Sequence, residues 1–109
     1  MADLFKVLAQ IIPAMGTLTD AYTVPADKAA VISSIIVANE ASSSTVFRIS
    51  IAVAGAADDL KQYIYYDVLL LQNRTFIATV GLTLGAADVI RVQSANGNVA
   101  FNISGDELS

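Results

Sequence analysis

The 109 residues suffice for one domain with a modest core, and their net charge of −4, without any basic cluster, argues against direct nucleic-acid binding. Apolar residues make up 55% of the chain against the usual ~45–50%, yet no apolar run reaches the ~18 residues of a membrane-spanning helix. Histidine and cysteine are absent, which removes the usual general base, the common nucleophile pairs and most transition-metal ligands. We therefore predict a protein that is not an enzyme, has no catalytic residues, cofactor or metal site, and carries more apolar surface than one small core can hide.

Residues 1–16 are predicted to form an N-terminal arm ahead of the main domain, residues 17–109. Asp3 precedes Lys6 in this segment, so it lacks the basic start of a signal peptide and is interpreted as mature sequence. Its spacing of apolar groups fits one stripe of a short helix, and fits equally an extended arm that docks on a neighbour. Five large apolar side chains of the arm are candidate contact residues: Leu4, Phe5, Leu8, Ile11 and Ile12.

Seven short β-strands are predicted beyond the arm, separated by polar turns or by turns that contain Gly or Pro. Their spacing of ~8–12 residues is typical of a single antiparallel β-sandwich, jelly-roll or immunoglobulin-like, of about seven to eight strands, with a small barrel as the alternative. The strongest hairpin signal is Asn96-Gly97, because a type I′ turn requires positive φ at both central positions. The predicted strands cover about 18–24, 29–39, 45–53, 62–68, 74–80, 88–94 and 98–104.

The second predicted strand carries aliphatic groups on both faces. Val31, Ile35 and Val37 alternate onto one face, whereas Ile32 and Ile36 alternate onto the other. An antiparallel strand with one solvated face alternates apolar and polar residues, so this strand is predicted to be covered on both faces. Ile32 and Ile36 are therefore candidate interface residues, and a long strand that crosses the centre of a barrel is the alternative.

The run QYIYYD places tyrosines on both faces of a later strand. Tyr63 and Tyr65 share one face, and Tyr66 lies on the other. Tyrosine combines an apolar ring with a polar hydroxyl, which suits a half-buried contact surface, although it also favours strands in general. These three tyrosines complete the set of candidate interface residues.

Two acidic pairs are the remaining groups that could carry chemistry. They are Asp58-Asp59 in a loop and Asp106-Glu107 near the C-terminal end. Neither pair has the ligand spacing of a calcium loop, so both are predicted to be solvated charges.

Three stretches resemble small all-β virion proteins of tailed bacteriophages, over about residues 17–108. The first, TLTDAYTVPADKAAVISSIIVANEASSSTVFRISIAVAGAA, has a Tyr-Thr-Val-Pro turn that leads into a long apolar strand ending in asparagine. The others are KQYIYYDVLLLQNRTFIATVGLTLGAADVIRV and the closing strand VAFNISGDEL. Asp27 and Ala87 stand where that family commonly has glycine, so each of these turns must accept a left-handed residue or change type.

The resemblance implies a structural protein of the virion. A short single domain without a coiled-coil or collagen-like shaft fits a capsid cement or decoration protein that lies on the outer capsid and bridges neighbouring capsomers. The expected partners are the major capsid protein or another virion structural protein, and further copies of the chain as a dimer or trimer, without nucleic acid or membrane. The alternative is a tail-fibre, baseplate or other tail component, whose polar loops could present a glycan-binding site.

Overall fold

The computed structural model describes residues 4–108, with side chains from Lys6 onward, as eight β-strands in two antiparallel sheets. The all-β sandwich predicted from the turn spacing is confirmed. Two single-turn 3-10 helices, Val53–Gly55 and Leu60–Gln62, lie in the connection between the fourth and fifth strands. Within the described residues, no helix has the length and apolar character needed to cross a membrane. The strands are β1 Leu4–Ile11, β2 Thr19–Thr23, β3 Ala29–Asn39, β4 Thr45–Ala52, β5 Tyr63–Leu70, β6 Thr75–Leu84, β7 Val89–Ser94 and β8 Val99–Leu108.

Sheet A has the strand order β1-β8-β3-β6, and sheet B has the order β2-β7-β4-β5. This is the strand order of an eight-stranded jelly roll, in which most connections cross from one sheet to the other. The turn at Asn96-Gly97 therefore joins β7 of sheet B to β8 of sheet A, and the hairpin predicted there is wrong. The backbone agrees, since φ is positive at Gly97 (71°) but not at Asn96.

The two turns that lack the glycine of the phage pattern differ in conformation. Ala87 keeps a left-handed φ of 68°, at a steric cost that glycine would avoid. Asp27 does not have positive φ, so its turn is of a different type. Asp88 holds the β6–β7 turn together, because its Oδ2 accepts a 2.8 Å hydrogen bond from Gly85 N. Its Oδ1 accepts a 2.8 Å hydrogen bond from Ala54 N, which ties this turn to the β4–β5 connection.

The predicted N-terminal arm is, from Leu4 to Ile11, the edge strand of sheet A. β1 pairs antiparallel along β8, which rules out a helix over these residues. Leu8 and Ile11 are half-buried against the core, whereas Ile12, just beyond the strand, is 53% exposed. The side chains of Leu4 and Phe5 lie outside the described part of the chain.

Aromatic side chains fill the centre of the sandwich. Phe47 of β4 packs against Phe101 of β8 and Phe76 of β6, with ring centroids 6.1 and 5.3 Å apart. Tyr65 joins this cluster, and its ring centroid lies 5.3 Å from that of Phe76. Two register shifts between β4 and β5 turn Tyr65 toward the core and away from Tyr63, so the shared face predicted for these two tyrosines is wrong.

A β-bulge explains the aliphatic groups on both faces of β3. The register of β3 against both of its neighbours shifts between Ile32 and Ser34. The extra residue reverses the alternation, so Ile32 and Ile35 both point into the core and are fully buried. Ile36 points outward and is half-buried. The prediction that a partner covers Ile32 is thus wrong, because a single protomer already encloses it.

A buried polar bridge joins the two sheets at one end of the sandwich. The Glu107 carboxylate of β8 accepts a 2.6 Å hydrogen bond from the hydroxyl of Tyr22 in β2, and it lies 3.2 Å from Nζ of Lys6 in β1. Asp106 is also buried, so the prediction that this acidic pair is solvated is wrong. The Tyr22 hydroxyl, and next Lys6, hold the pKa of Glu107 below its usual range. Burial, and next the bond to Glu107, raise the pKa of Tyr22 above its usual range.

The polar bridge predicts acid-sensitive stability. Because the folded pKa of Glu107 lies below its unfolded value of about 4.5, the bridge contributes fully above that pH and is lost as pH falls through the folded pKa. We expect Glu107→Gln to lower the free energy of unfolding by about 1–2 kcal/mol at neutral pH and by less in acid. Urea unfolding of both proteins between about pH 7 and about pH 3 measures this. If the free energies of unfolding of the two proteins differed by the same amount at every pH in that range, the Glu107 carboxylate would not be the source of the acid sensitivity.

Candidate interaction surface

Charged side chains are distributed unequally between the two sheets. Each strand of sheet B carries one charged residue, and these pair across strands, Arg91 with Asp20 at 2.9 Å and Arg48 with Asp67 at 2.6 Å. In sheet A, β3 and β6 carry no charge, and the charges of β1 and β8 are confined to the end that holds the polar bridge. Away from that end, the outward side of sheet A is therefore a continuous uncharged surface.

We call this outward surface the sheet A face. Its central row runs across all four strands, from Gln10 through Asn102 and Ile36 to Ile77. Ser, Thr and Ala flank this row on β3, β6 and β8, whereas the larger exposed side chains of Val7 and Ile12 flank it along β1. The described members of the sheet A face are Val7, Gln10, Ile12, Ser34, Ile36, Ala38, Thr75, Ile77, Thr79, Ala100, Asn102 and Ser104.

The sheet A face can bury apolar area against a partner without leaving a charged side chain buried and unpaired. Ile77 is 64% exposed and Ile12 is 53% exposed, while Gln10 Nε2 donates a 2.7 Å hydrogen bond to Asn102 Oδ1 within the central row. A shallow depression lies beside these amides, next to Ile12 and Ala100. Depletion of charged residues is the compositional mark of the buried centre of a protein–protein interface. The surface suits contact with another protein better than proton transfer or phosphate binding.

The outer side of sheet B is partly covered by the chain itself. Arg91 donates to the carbonyl oxygen of Ala56 at 2.8 Å and to that of Gly55 at 3.3 Å, which fastens the β4–β5 connection onto the sheet. Gln62 is buried in the same connection, and its Nε2 donates to the Ala57 carbonyl at 2.9 Å. The part of the outer side of sheet B around Arg91 is therefore already covered by the β4–β5 connection.

A cluster of tyrosine rings and paired charges lies on the rest of sheet B. The Arg48 guanidinium sits 4.0 Å from the centroid of the Tyr66 ring, and the Tyr63 ring meets Tyr66 edge-on at 5.2 Å. The Tyr63 hydroxyl donates to Asp58 at 2.8 Å; burial, and next this bond, raise the pKa of Tyr63. Hydrogen bonding from Arg48 holds the pKa of Asp67 below its usual range. The polar groups of this cluster are thus largely satisfied by one another.

The predicted contact residues do not form one surface. Ile12 and Ile36 lie on the sheet A face, whereas Tyr63 and Tyr66 lie on the outer side of sheet B. The remaining ones with described side chains lie in the core or pack against it: Leu8, Ile11, Ile32 and Tyr65.

Sequence reasoning missed the members of the sheet A face that lie on β6 and β8, notably Ile77, Thr79 and Asn102. A signal was present, because the β3 and β6 sequences AAVISSIIVAN and TFIATVGLTL contain no charged residue. What the sequence did not show is that these two strands are neighbours in one sheet.

Within residues 4–108, His, Cys, Asp and Glu side chains do not gather into a group of three or more that could hold a metal ion. Comparison of the chain with protein-family models, with curated proteins and with solved structures finds no match. The resemblance to phage virion proteins therefore stays a prediction, and the contrast between the two sheets is the structural observation from which a function can be argued.

Proposed function

We propose that the chain is a structural virion protein of a tailed bacteriophage, a capsid cement or decoration protein that lies on the outer capsid and bridges neighbouring capsomers. The observation that carries the proposal is the uncharged sheet A face, which lies opposite a charged and partly covered sheet. The family resemblance of the sequence supplies the virion context. A fold of this kind serves many functions, so the strand order by itself carries no part of the proposal.

The mechanism is burial of the sheet A face against shell proteins. Each 100 Å² of apolar surface removed from water contributes about 2.5 kcal/mol before the costs of association are subtracted. The absence of charge on β3 and β6 means that little of this gain is lost to desolvation of ions. Attachment of several linked copies multiplies the effect, because later contacts form within an already bound assembly.

A tail or baseplate component is the second candidate. The observation that favours it is the cluster of Tyr63, Tyr66 and Arg48 on sheet B, where Tyr66 is 49% exposed. Such a rigid aromatic surface could contact a receptor or glycan while the sheet A face holds the domain in the tail.

The test is to locate the chain in particles of a phage that encodes it. We expect gradient-purified particles to contain the chain in a fixed ratio to the major capsid protein, with antibody label on the heads. Particles made without the gene should release their DNA at a lower temperature, and added purified protein should restore the original temperature. Label confined to tails would favour the second candidate. Absence of the chain from purified particles would contradict both.

A further inference from the structure

The four edge strands of the sandwich differ in how well they are protected against pairing with another chain. Edges are usually blocked by a charge, a bulge, a proline or a short strand. β1 carries Lys6 and a register shift, and β2 has only five residues and contains Asp20. β5 carries Asp67 at a φ of 51° together with two register shifts. Each of these three edges therefore has at least two protective features.

β6 is the edge without such protection over its first half. Its ten residues, TFIATVGLTL, include no charge and no proline. From Thr75 to Thr79 the strand pairs with β3 in unbroken register, and the shift comes only beyond Thr79. Among the described residues no strand pairs with the other side of β6, so its outward N–H and C=O groups are available.

We propose that β6 pairs antiparallel with β6 of a second copy, about a two-fold axis at Ile77, and so extends sheet A to eight strands. This inference does not rest on the proposed function. In this register Ile77 lies opposite the partner's Ile77, and Thr75 lies opposite the partner's Thr79 on the same outward face. The inward side chains match too, since Phe76 meets the partner's Ala78, a large group opposite a small one.

Charge favours a second copy as the occupant of this edge. Two molecules of net charge −4 repel each other, so self-association is least opposed where charged side chains are absent. The regular half of β6 and its neighbour β3 meet that condition. A two-fold contact is also self-complementary, so an uncharged edge automatically meets an uncharged edge. The two sheet A faces then form one continuous surface, twice as wide.

The mass in solution tests the proposal. Analytical ultracentrifugation of the whole chain should give twice the monomer mass of 11.4 kDa. Ile77→Lys should weaken the dimer roughly tenfold or more, because it sets like charges directly opposite each other across the new strand pair. Leu69→Lys is the matched control, since Leu69 is 63% exposed against 64% for Ile77 but lies on the outer side of sheet B. This control should dimerise as the unaltered chain does.

A cysteine scan decides the register, and the chain has no native cysteine to interfere. Directly opposite Cα atoms in an antiparallel pair lie about 4.5–5.5 Å apart, within the range that a disulfide spans. Ile77→Cys should therefore cross-link into a dimer on mild oxidation, whereas Thr83→Cys, beyond the paired segment, should not. A monomeric unaltered chain, an Ile77→Lys variant that dimerises normally, or equal cross-linking at both positions would overturn the proposal.

Discussion

Replacing Ile32 by alanine is expected to lower the free energy of unfolding by about 2–5 kcal/mol, the range for large-to-small changes at fully buried aliphatic sites. Ile32 is completely buried between the sheets, and it reaches the core only because the bulge in β3 turns it inward. Removing its side chain leaves a cavity between the two sheets. Urea unfolding at neutral pH, monitored by circular dichroism, measures the change.

Ile36→Ala is the matched control for that change. Ile36 is the same residue type on the same strand, and simple alternation would place it on the face of Ile32. Because Ile36 lies on the sheet A face, we expect its truncation to cost about 1 kcal/mol or less in the isolated protein. Equal losses at Ile32 and Ile36 would show that the bulge is misplaced and that both side chains share one environment.

Replacing Gly105 by alanine is expected to lower the free energy of unfolding by at least about 3 kcal/mol, or to prevent folding altogether. Gly105 lies opposite Ile32 where β3 bulges toward β8. A Cβ at this position would collide with the carbonyl oxygen of Val31 and approach Cα of Ile32 to 3.1 Å. Both obstacles are backbone atoms of a central strand, so the strain cannot be relieved by moving a side chain.

Gly81→Ala is the control for the change at Gly105. A Cβ at Gly81 meets nothing within 4 Å, and its φ is not positive. The substitution should therefore be neutral or stabilise by about 0.4–1 kcal/mol through the unfolded chain. Comparison of the two midpoints in thermal unfolding checks both expectations. A Gly105→Ala protein as stable as Gly81→Ala would contradict the close approach of β3 and β8.

Strands β2 to β8 were predictable because each is bounded by turn residues whose chemistry is local. Which side chains of a strand point into the core was less predictable. A bulge inserts one residue without changing the composition, and every later side chain of the strand then points to the opposite face. Ile32 and Tyr65 were both assigned outward for this reason, and both lie in or against the core. Gly105, inside β8, marks the close approach of two backbones, a meaning that glycine in a strand often has.

The neighbours of each strand within its sheet were not predictable from the local sequence pattern. The first strand was interpreted as an arm because its partner, β8, lies far along the chain, with Leu4 paired to Glu107 and Ile11 to Phe101. The same holds for the sheet A face, which depends on β3 lying between β6 and β8. Single-strand alternation identified Ile36 as an outward group but could not join it to Ile77 or Asn102, since those contacts are set by the sheet order.

The most direct measurement is the incorporation of Ile36→Lys into phage particles. Lysine keeps an aliphatic stem but places a charge at the centre of the sheet A face. We predict that this variant stays folded and accumulates in the lysate while its copy number in purified particles falls at least about tenfold, as a charge left unpaired in a buried contact requires. Leu69→Lys, on the other sheet, should incorporate normally. Normal incorporation of Ile36→Lys, or loss of both variants alike, would contradict the assignment of the sheet A face as the contact surface.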